Sequence, residues 1–296
     1  MKTELLFETS WEVCNKVGGI HTVISTKALN IVNELGDNYI LIGPDVWRED
    51  SSNPEFIQDD IICNDWRTRA LAEGLKVRIG RWNIAGKPLV FLIDFTPYFG
   101  QQNEIFARFW ETYKLDSISG QWDYIEPALF GYAAGKVIES YTTFYHEHHD
   151  IVAQFHEWMT GTGVLYLKKN APWIATAFTT HATVLGRCIA GHGKPLYGKL
   201  EEYNPNQMAR EFNVVAKQSL EKITAAEADV FTTVSELTAR ECTQFLGKNV
   251  DLVTPNGFED SFVPAEADFN EKRIAAREKL IRVSEALLGY RPGSNT

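Results

Sequence analysis

The sequence predicts an α/β protein built on a Rossmann-like parallel sheet flanked by helices. Two observations carry that expectation. Short apolar runs bounded by turn residues alternate along the chain with segments of helical apolar spacing. Three of those runs, Ile151–Phe155, Trp173–Thr179 and Val230–Val234, follow one another with helices between them. Runs apolar throughout and separated by helices imply strands buried on both faces and joined by right-handed crossovers.

Taken in order, residues 3–8 read as a first strand that ends in the polar, Gly-containing loop 9–19. A helix from Ile20 to Leu35 follows, closed by Gly36, whose missing Cβ permits a left-handed cap. Asn38 to Gly43 reads as the second strand, stopped by Pro44, and residues 44–74 read as polar and irregular. Gly74 to Phe95 predicts a hairpin turning at Ala85-Gly86-Lys87-Pro88, and Ile125 to Tyr145 a long helix. A last strand, Val250–Val253, precedes Thr254-Pro255-Asn256-Gly257. Asn270 to Leu288 is a charged helix ending at Gly289, and residues 291–296 read as an interdomain linker. The expected division is therefore an α/β domain over 1–268, with a helix and linker over 269–296.

Composition bounds the function. The 296 residues are 44% apolar and 23% charged, ordinary for a globular protein. A net charge of −10 argues against nucleic acid, which demands a clustered basic surface. Cys14, Cys63, Cys188 and Cys242 lie far apart with no CxxC pair, so neither structural zinc nor a disulfide framework is expected. Met1–Phe7 does not read as a signal peptide, and no apolar run reaches the roughly 18 residues that span a bilayer. A cytoplasmic protein is the expectation.

Open parallel sheets bind ligands at the carboxyl ends of their strands. Here those ends carry Asn15-Lys16-Val17-Gly18-Gly19, His156-Glu157-Trp158, Thr180-His181-Ala182-Thr183 with Arg187 a turn further on, Ser235-Glu236 and Pro255-Asn256-Gly257. That concentration of titratable groups exceeds what turns require. Singly, each has a plainer use. Lys16-Val17-Gly18-Gly19 suits a diphosphate at a helix N-terminus, or is simply a tight turn into the helix. His156 and His181 could bond nearby carbonyls only, though the hydroxyls around His181 favour a site. Ser235-Glu236 reads as an N-cap, and Asn256-Gly257 as a turn. His146-Glu147-His148-His149 lacks metal-ligand spacing and reads as surface, and the aromatic stretch Phe106–Trp122 as packing rather than sugar stacking.

Several of these segments together resemble the glycogen synthases of glycosyltransferase family 3, of the eukaryote-like type. They are Leu6–Val13 continuing through Lys16-Val17-Gly18-Gly19-Ile20, Gln154–Trp158, Thr179–Arg187, Phe231–Glu236, Val253–Gly257 and Ala286–Tyr290. The resemblance covers almost the whole chain, in the family's order. It implies the N-terminal, acceptor-side half of a two-domain GT-B enzyme whose donor-binding C-terminal domain is missing from this sequence. Such an enzyme transfers glucose, with retention and without metal or other cofactor, from UDP-glucose or ADP-glucose to the non-reducing 4-hydroxyl of an α-1,4-glucan. By position, His181 is implied as the catalytic residue near the donor glucose. Lys16, Gly18, Gly19 and Arg187 are implied at the donor's phosphates, and His156, Glu157 and Thr183 along the sugar and acceptor cleft. Lys16 stands where members often have Arg, which keeps the charge but loses the fork. Segments for regulation by phosphorylation or glucose 6-phosphate are not evident. The isolated half is expected to be inactive. The competing readings are a sucrose- or trehalose-phosphate-type synthase and a non-catalytic glucan-binding module.

Overall fold

A computed structural model describes residues 3–47, 53–145, 150–257 and 263–290. Among these, nine strands form one sheet: β1 Leu5–Thr9, β2 Tyr39–Pro44, β3 Phe56–Gln58, β4 Lys76–Trp82, β5 Leu89–Asp94, β6 Ile151–His156, β7 Ala175–Thr180, β8 Val230–Thr233 and β9 Leu252–Val253. The helices are α1 Gly19–Leu35, α2 Asn64–Ala72, α3 Gln102–Tyr113, α4 Trp122–Tyr145, α5 Gly161–Asn170, α6 Val184–Gly191, α7 Pro205–Glu211, α8 Val215–Glu227, α9 Glu236–Glu241 and α10 Phe269–Leu288.

The strand order is β3-β4-β5-β2-β1-β6-β7-β8-β9. From β5 to β9 every pairing is parallel, while β3 and β4 pair antiparallel at one edge. The Rossmann-like expectation is met, with a mixed edge added by the hairpin. That hairpin turns where the sequence places it: Gly86 and Lys87 take φ of 81° and 43°, and Lys87 N–H bonds Ile84 O at 3.1 Å.

Helices cover both faces, and the residues sort accordingly. Ile40 and Ile42 of β2 and Phe91 of β5 join Leu5 and Phe7 in a core shared with α2, α4 and α5. Tyr39, Leu41, Val90 and Leu92 face the other way, packing with Ile24 and Ala28 of α1. Period-two alternation with both sides apolar is the reason these strands read as continuous apolar runs.

Residues 44–74 are less irregular than expected. β3 and α2 lie there, and neither leaves a strong pattern, since β3 buries only Phe56 and α2 only Trp66 and Ala70. Trp66 nevertheless stacks on Phe91 at 5.2 Å between centroids and donates its indole N–H to Ser140 Oγ at 3.1 Å. The aromatic stretch after residue 102 is likewise a helix, α3, in its first part. Asn256-Gly257 forms no turn, and Gly257 is not among the glycines with positive φ. The segment His146–His149 lies outside the described residues.

The chain divides into two units, Met1–Asn256 and Gly257–Thr296. The second carries α10, capped by Gly289 at φ 73°. No described helix is long and apolar enough to cross a membrane.

Candidate functional site at the carboxyl edge of the sheet

β1, β6 and β7 are adjacent and parallel, so their carboxyl ends open on one edge. β6 ends at His156 and β7 at Thr180, which puts His156, Glu157 and His181 side by side.

The deepest member is Glu8, fully buried near the end of β1. Its Oε1 lies 2.6 Å from Lys27 Nζ of α1 and 2.6 Å from His156 Nε2, and its Oε2 accepts the Tyr39 hydroxyl. Burial opposes its ionisation, but the Lys27 ammonium and the His156 ring override that and hold the carboxyl well below the usual carboxylate range. His156, 2% exposed, turns its Nδ1 to His181 Nε2 at 2.9 Å. Burial lowers the pKa of His156. His181 is only partly buried, and burial together with His156, Lys27 and Arg187 pulls its ring down to about 3. Both rings are thus neutral at pH 7.

Glu157 follows directly, at φ 65° and ψ 163°. This region is essentially reserved for glycine and costs about 1–3 kcal/mol. The surroundings hold it there. Its own N–H bonds Thr179 O at 2.9 Å, and its Oε1 accepts the N–H groups of His181 and Ala182 at 2.9 and 3.2 Å. Arg187 Nη2 adds a contact at 3.3 Å. Burial pushes the Glu157 carboxyl up against the pull of Arg187 and the two N–H groups. The strained residue therefore fixes the β7–α6 turn that presents His181, while the Arg187 side chain stays 59% exposed.

Thr183 is the N-cap of α6: its Oγ1 accepts Gly186 N–H at 3.0 Å and donates to Glu241 Oε2 at 2.7 Å. It is fully buried, so its hydroxyl braces α6 beneath the edge. Ser235 caps α9 as its sequence predicts, accepting Thr238 N–H at 3.1 Å.

Lys16, Val17, Gly18 and Gly19 form an exposed approach to α1. The helix N-terminus is already engaged, because Glu12 Oε2 accepts Gly18 N–H at 2.7 Å and His21 N–H at 3.0 Å. A Cβ on Gly18 would meet Glu12 Oε1 at 2.9 Å, whereas one on Gly19 would meet nothing within 4 Å.

Glu8, Lys27, Glu12 and Glu241 were not singled out in the sequence. The signal for Glu8 was there: a lone carboxylate inside Leu5-Leu6-Phe7-Glu8-Thr9 contradicts a buried strand unless it has partners. Among the described residues, no group of three or more His, Cys, Asp or Glu is placed to hold a metal ion.

A doubly wound sheet with this histidine, carboxylate and guanidinium cluster at its carboxyl edge defines an α/β domain of the Rossmann-like class, with its candidate site where such sheets bind ligands. The family model described as Glycogen synthase matches residues 8–286. The liver glycogen [starch] synthase of Rattus norvegicus is 37% identical over 257 residues, covering 86% of this chain and 36% of the relative. The glycogen [starch] synthase of Neurospora crassa is 31% identical over 288 residues, covering 95% and 40%. Among solved structures, the catalytic domain of starch synthase IV from Arabidopsis thaliana, bound to ADP and acarbose, aligns with a TM-score of 0.46 at 14% identity over 88% of this chain and 53% of that one. The chain belongs to the glycogen synthase family. It spans 36% to 40% of the length of these two curated relatives.

Proposed function

We propose that this chain is the acceptor-side half of a GT-B glucosyltransferase, a cytoplasmic glycogen synthase. Residues 1–268 form its domain, and 269–296 lead to a C-terminal donor-binding domain. The reaction moves glucose from UDP-glucose, or alternatively ADP-glucose, to the non-reducing 4-hydroxyl of an α-1,4-glucan with retention, and uses no metal.

Family membership supports this reading, and one observation carries it: a neutral His181 held at the carboxyl edge by His156 and by the strained Glu157 turn. Glucosyl transfer builds positive charge on the sugar and negative charge on the departing diphosphate. Fixed groups around those charges stabilise the transition state without reorganising. His181 accepts or donates one hydrogen bond to the donor glucose. Arg187 faces developing negative charge, as does Lys16 beside Gly18 and Gly19. His156 and Glu157 line the floor of the cleft, with Thr183 bracing α6 behind them. Closure of a second domain supplies the remaining clamp and excludes water, so the isolated chain is catalytically silent.

The test is glucose transfer to glycogen from UDP-glucose and from ADP-glucose, comparing the chain alone with the chain joined to a C-terminal domain of the family. Transfer by the joined protein only supports the reading and fixes the donor. Silence from both sinks it.

A second reading is a glucan-binding module. It draws on a cavity of about 490 Å³ beside α3, lined by Phe106, Trp110, Leu115, Ile118 and Ile125. Trp110 is exposed there, as stacking on a sugar face requires. Co-sedimentation of the chain with glycogen, together with no transfer even by the protein joined to a C-terminal domain, would favour it.

A further inference from the structure

We infer that the buried Glu8–Lys27 pair sets, through His156, which nitrogen of His181 carries its proton, so that His181 turns a bare Nδ1 to the cleft and accepts a sugar hydroxyl. Glu8 and Lys27 are positioning residues for His181. The inference rests on the reading of His181 as facing the donor sugar.

The chain of contacts has one consistent set of protons. Glu8 Oε1 is a carboxylate oxygen and can only accept, so His156 Nε2, 2.6 Å away, must be the donor. A neutral imidazole carries one N–H, which leaves His156 Nδ1 as an acceptor. His181 Nε2, 2.9 Å from that Nδ1, must then be the protonated nitrogen of its ring. Neutral His181 is left with Nδ1 unprotonated, and no described residue hydrogen-bonds that atom.

Everything depends on His156 staying neutral. Were it an imidazolium, both its nitrogens would donate, His181 Nε2 would have to accept, and His181 would show an N–H to the cleft instead. Burial and Lys27 together favour the neutral ring. The Lys27 ammonium lies 2.6 Å from the same Glu8 oxygen and already balances the carboxylate charge. A second cation on His156, fully buried beside that pair, would be uncompensated. Tyr39 occupies the other Glu8 oxygen as a donor, so Glu8 has no donation to offer in return. Two residues remote from the cleft thus choose between an acceptor and a donor at its surface. An acceptor suits a substrate rich in hydroxyl groups.

The test is nitrogen-15 NMR of histidine-labelled 296-residue chain at pH 7, with no nucleotide sugar present. Its failure is therefore separate from a failure of glucosyl transfer. The expected result is a coupling across the hydrogen bond between His181 Nε2 and His156 Nδ1, with the shared proton bonded to His181. Lys27→Met keeps the helical stem, removes the charge from a partly exposed position, and is expected to raise the charged fraction of His156 and shift the shared proton toward its Nδ1. A wild-type proton on His156 Nδ1, a charged His181, or an arrangement unchanged in Lys27→Met would each overturn the inference. The wild-type spectrum decides the first two without any variant.

Discussion

Glu157 Oε1 lies 3.3 Å from Nη2 of Arg187 while also accepting the N–H groups of His181 and Ala182. One carboxylate oxygen therefore gathers the turn after β7 and the first residues of α6, and it does so from a residue whose own backbone is strained. The arrangement separates two costs that mutagenesis can read apart. Glu157→Gly loses the carboxylate but relaxes the backbone, whereas Glu157→Ala loses the carboxylate and keeps the strain.

Both variants should destabilise the chain, since two backbone N–H groups lose their acceptor at about 1–3 kcal/mol each if no water replaces it. The alanine variant should be the worse by about 1–3 kcal/mol in denaturant unfolding. Equal midpoints would show that the φ of 65° at this position carries no strain.

The histidines predict an acid-side loss of stability. The folded pKa of His181 is about 3, against an ordinary value of 6.5, so the unfolded chain binds the proton more readily. A depressed folded pKa contributes stability that is complete above 6.5 and is lost as pH falls toward 3. The lowered pKa of His156 acts in the same direction. The His181 ring adds a slope of up to about 1.4 kcal/mol per pH unit in that window. The raised pKa of Glu157 works the other way above the ordinary glutamate range. The difference between the wild-type chain and His181→Gln isolates the first contribution. Urea midpoints measured from pH 7 to pH 4 should fall less steeply in the variant, and parallel curves would contradict this.

Gly186 tests the brace behind the edge. A Cβ there would lie 2.1 Å from Glu241 Oε2 and 2.7 Å from Thr183 Oγ1. Glu241 cannot simply swing aside, because Thr183 and Tyr197 hold its two oxygens. Gly186→Ala should cost about 1–3 kcal/mol, the range of overpacking in a tight interior. A melting temperature matching the wild type would mean that α6 shifts freely.

The central strands were legible because β1, β2, β6 and β7 are buried on both faces and flanked by turn residues, a pattern that sequence alone displays. α2 was not, because its two buried residues, Trp66 and Ala70, are four apart in an otherwise polar segment. Its place is fixed by Phe91 and Ser140, which lie well outside it in the chain. The site divides in the same way. His156, Glu157, His181 and Arg187 announced themselves as titratable groups at strand ends, and the structure gathers them into one cluster. The partners that orient them did not. Glu8 reaches His156 across 148 positions and Thr183 reaches Glu241 across 58. Only the parallel register of β1 with β6, and the packing of α9 against α6, bring such pairs together.

The measurement that bears most directly on the account is kcat for glucose transfer from UDP-glucose to glycogen by the chain joined to a C-terminal domain of the family, with His181 intact and as His181→Ala. Loss of a preorganised hydrogen bond at the reacting sugar should lower kcat by about 10²-fold. KM for glycogen should change little. An unchanged kcat in the variant would contradict the account, because no transition-state contact could then run through the residue that the whole edge of the sheet is arranged to hold.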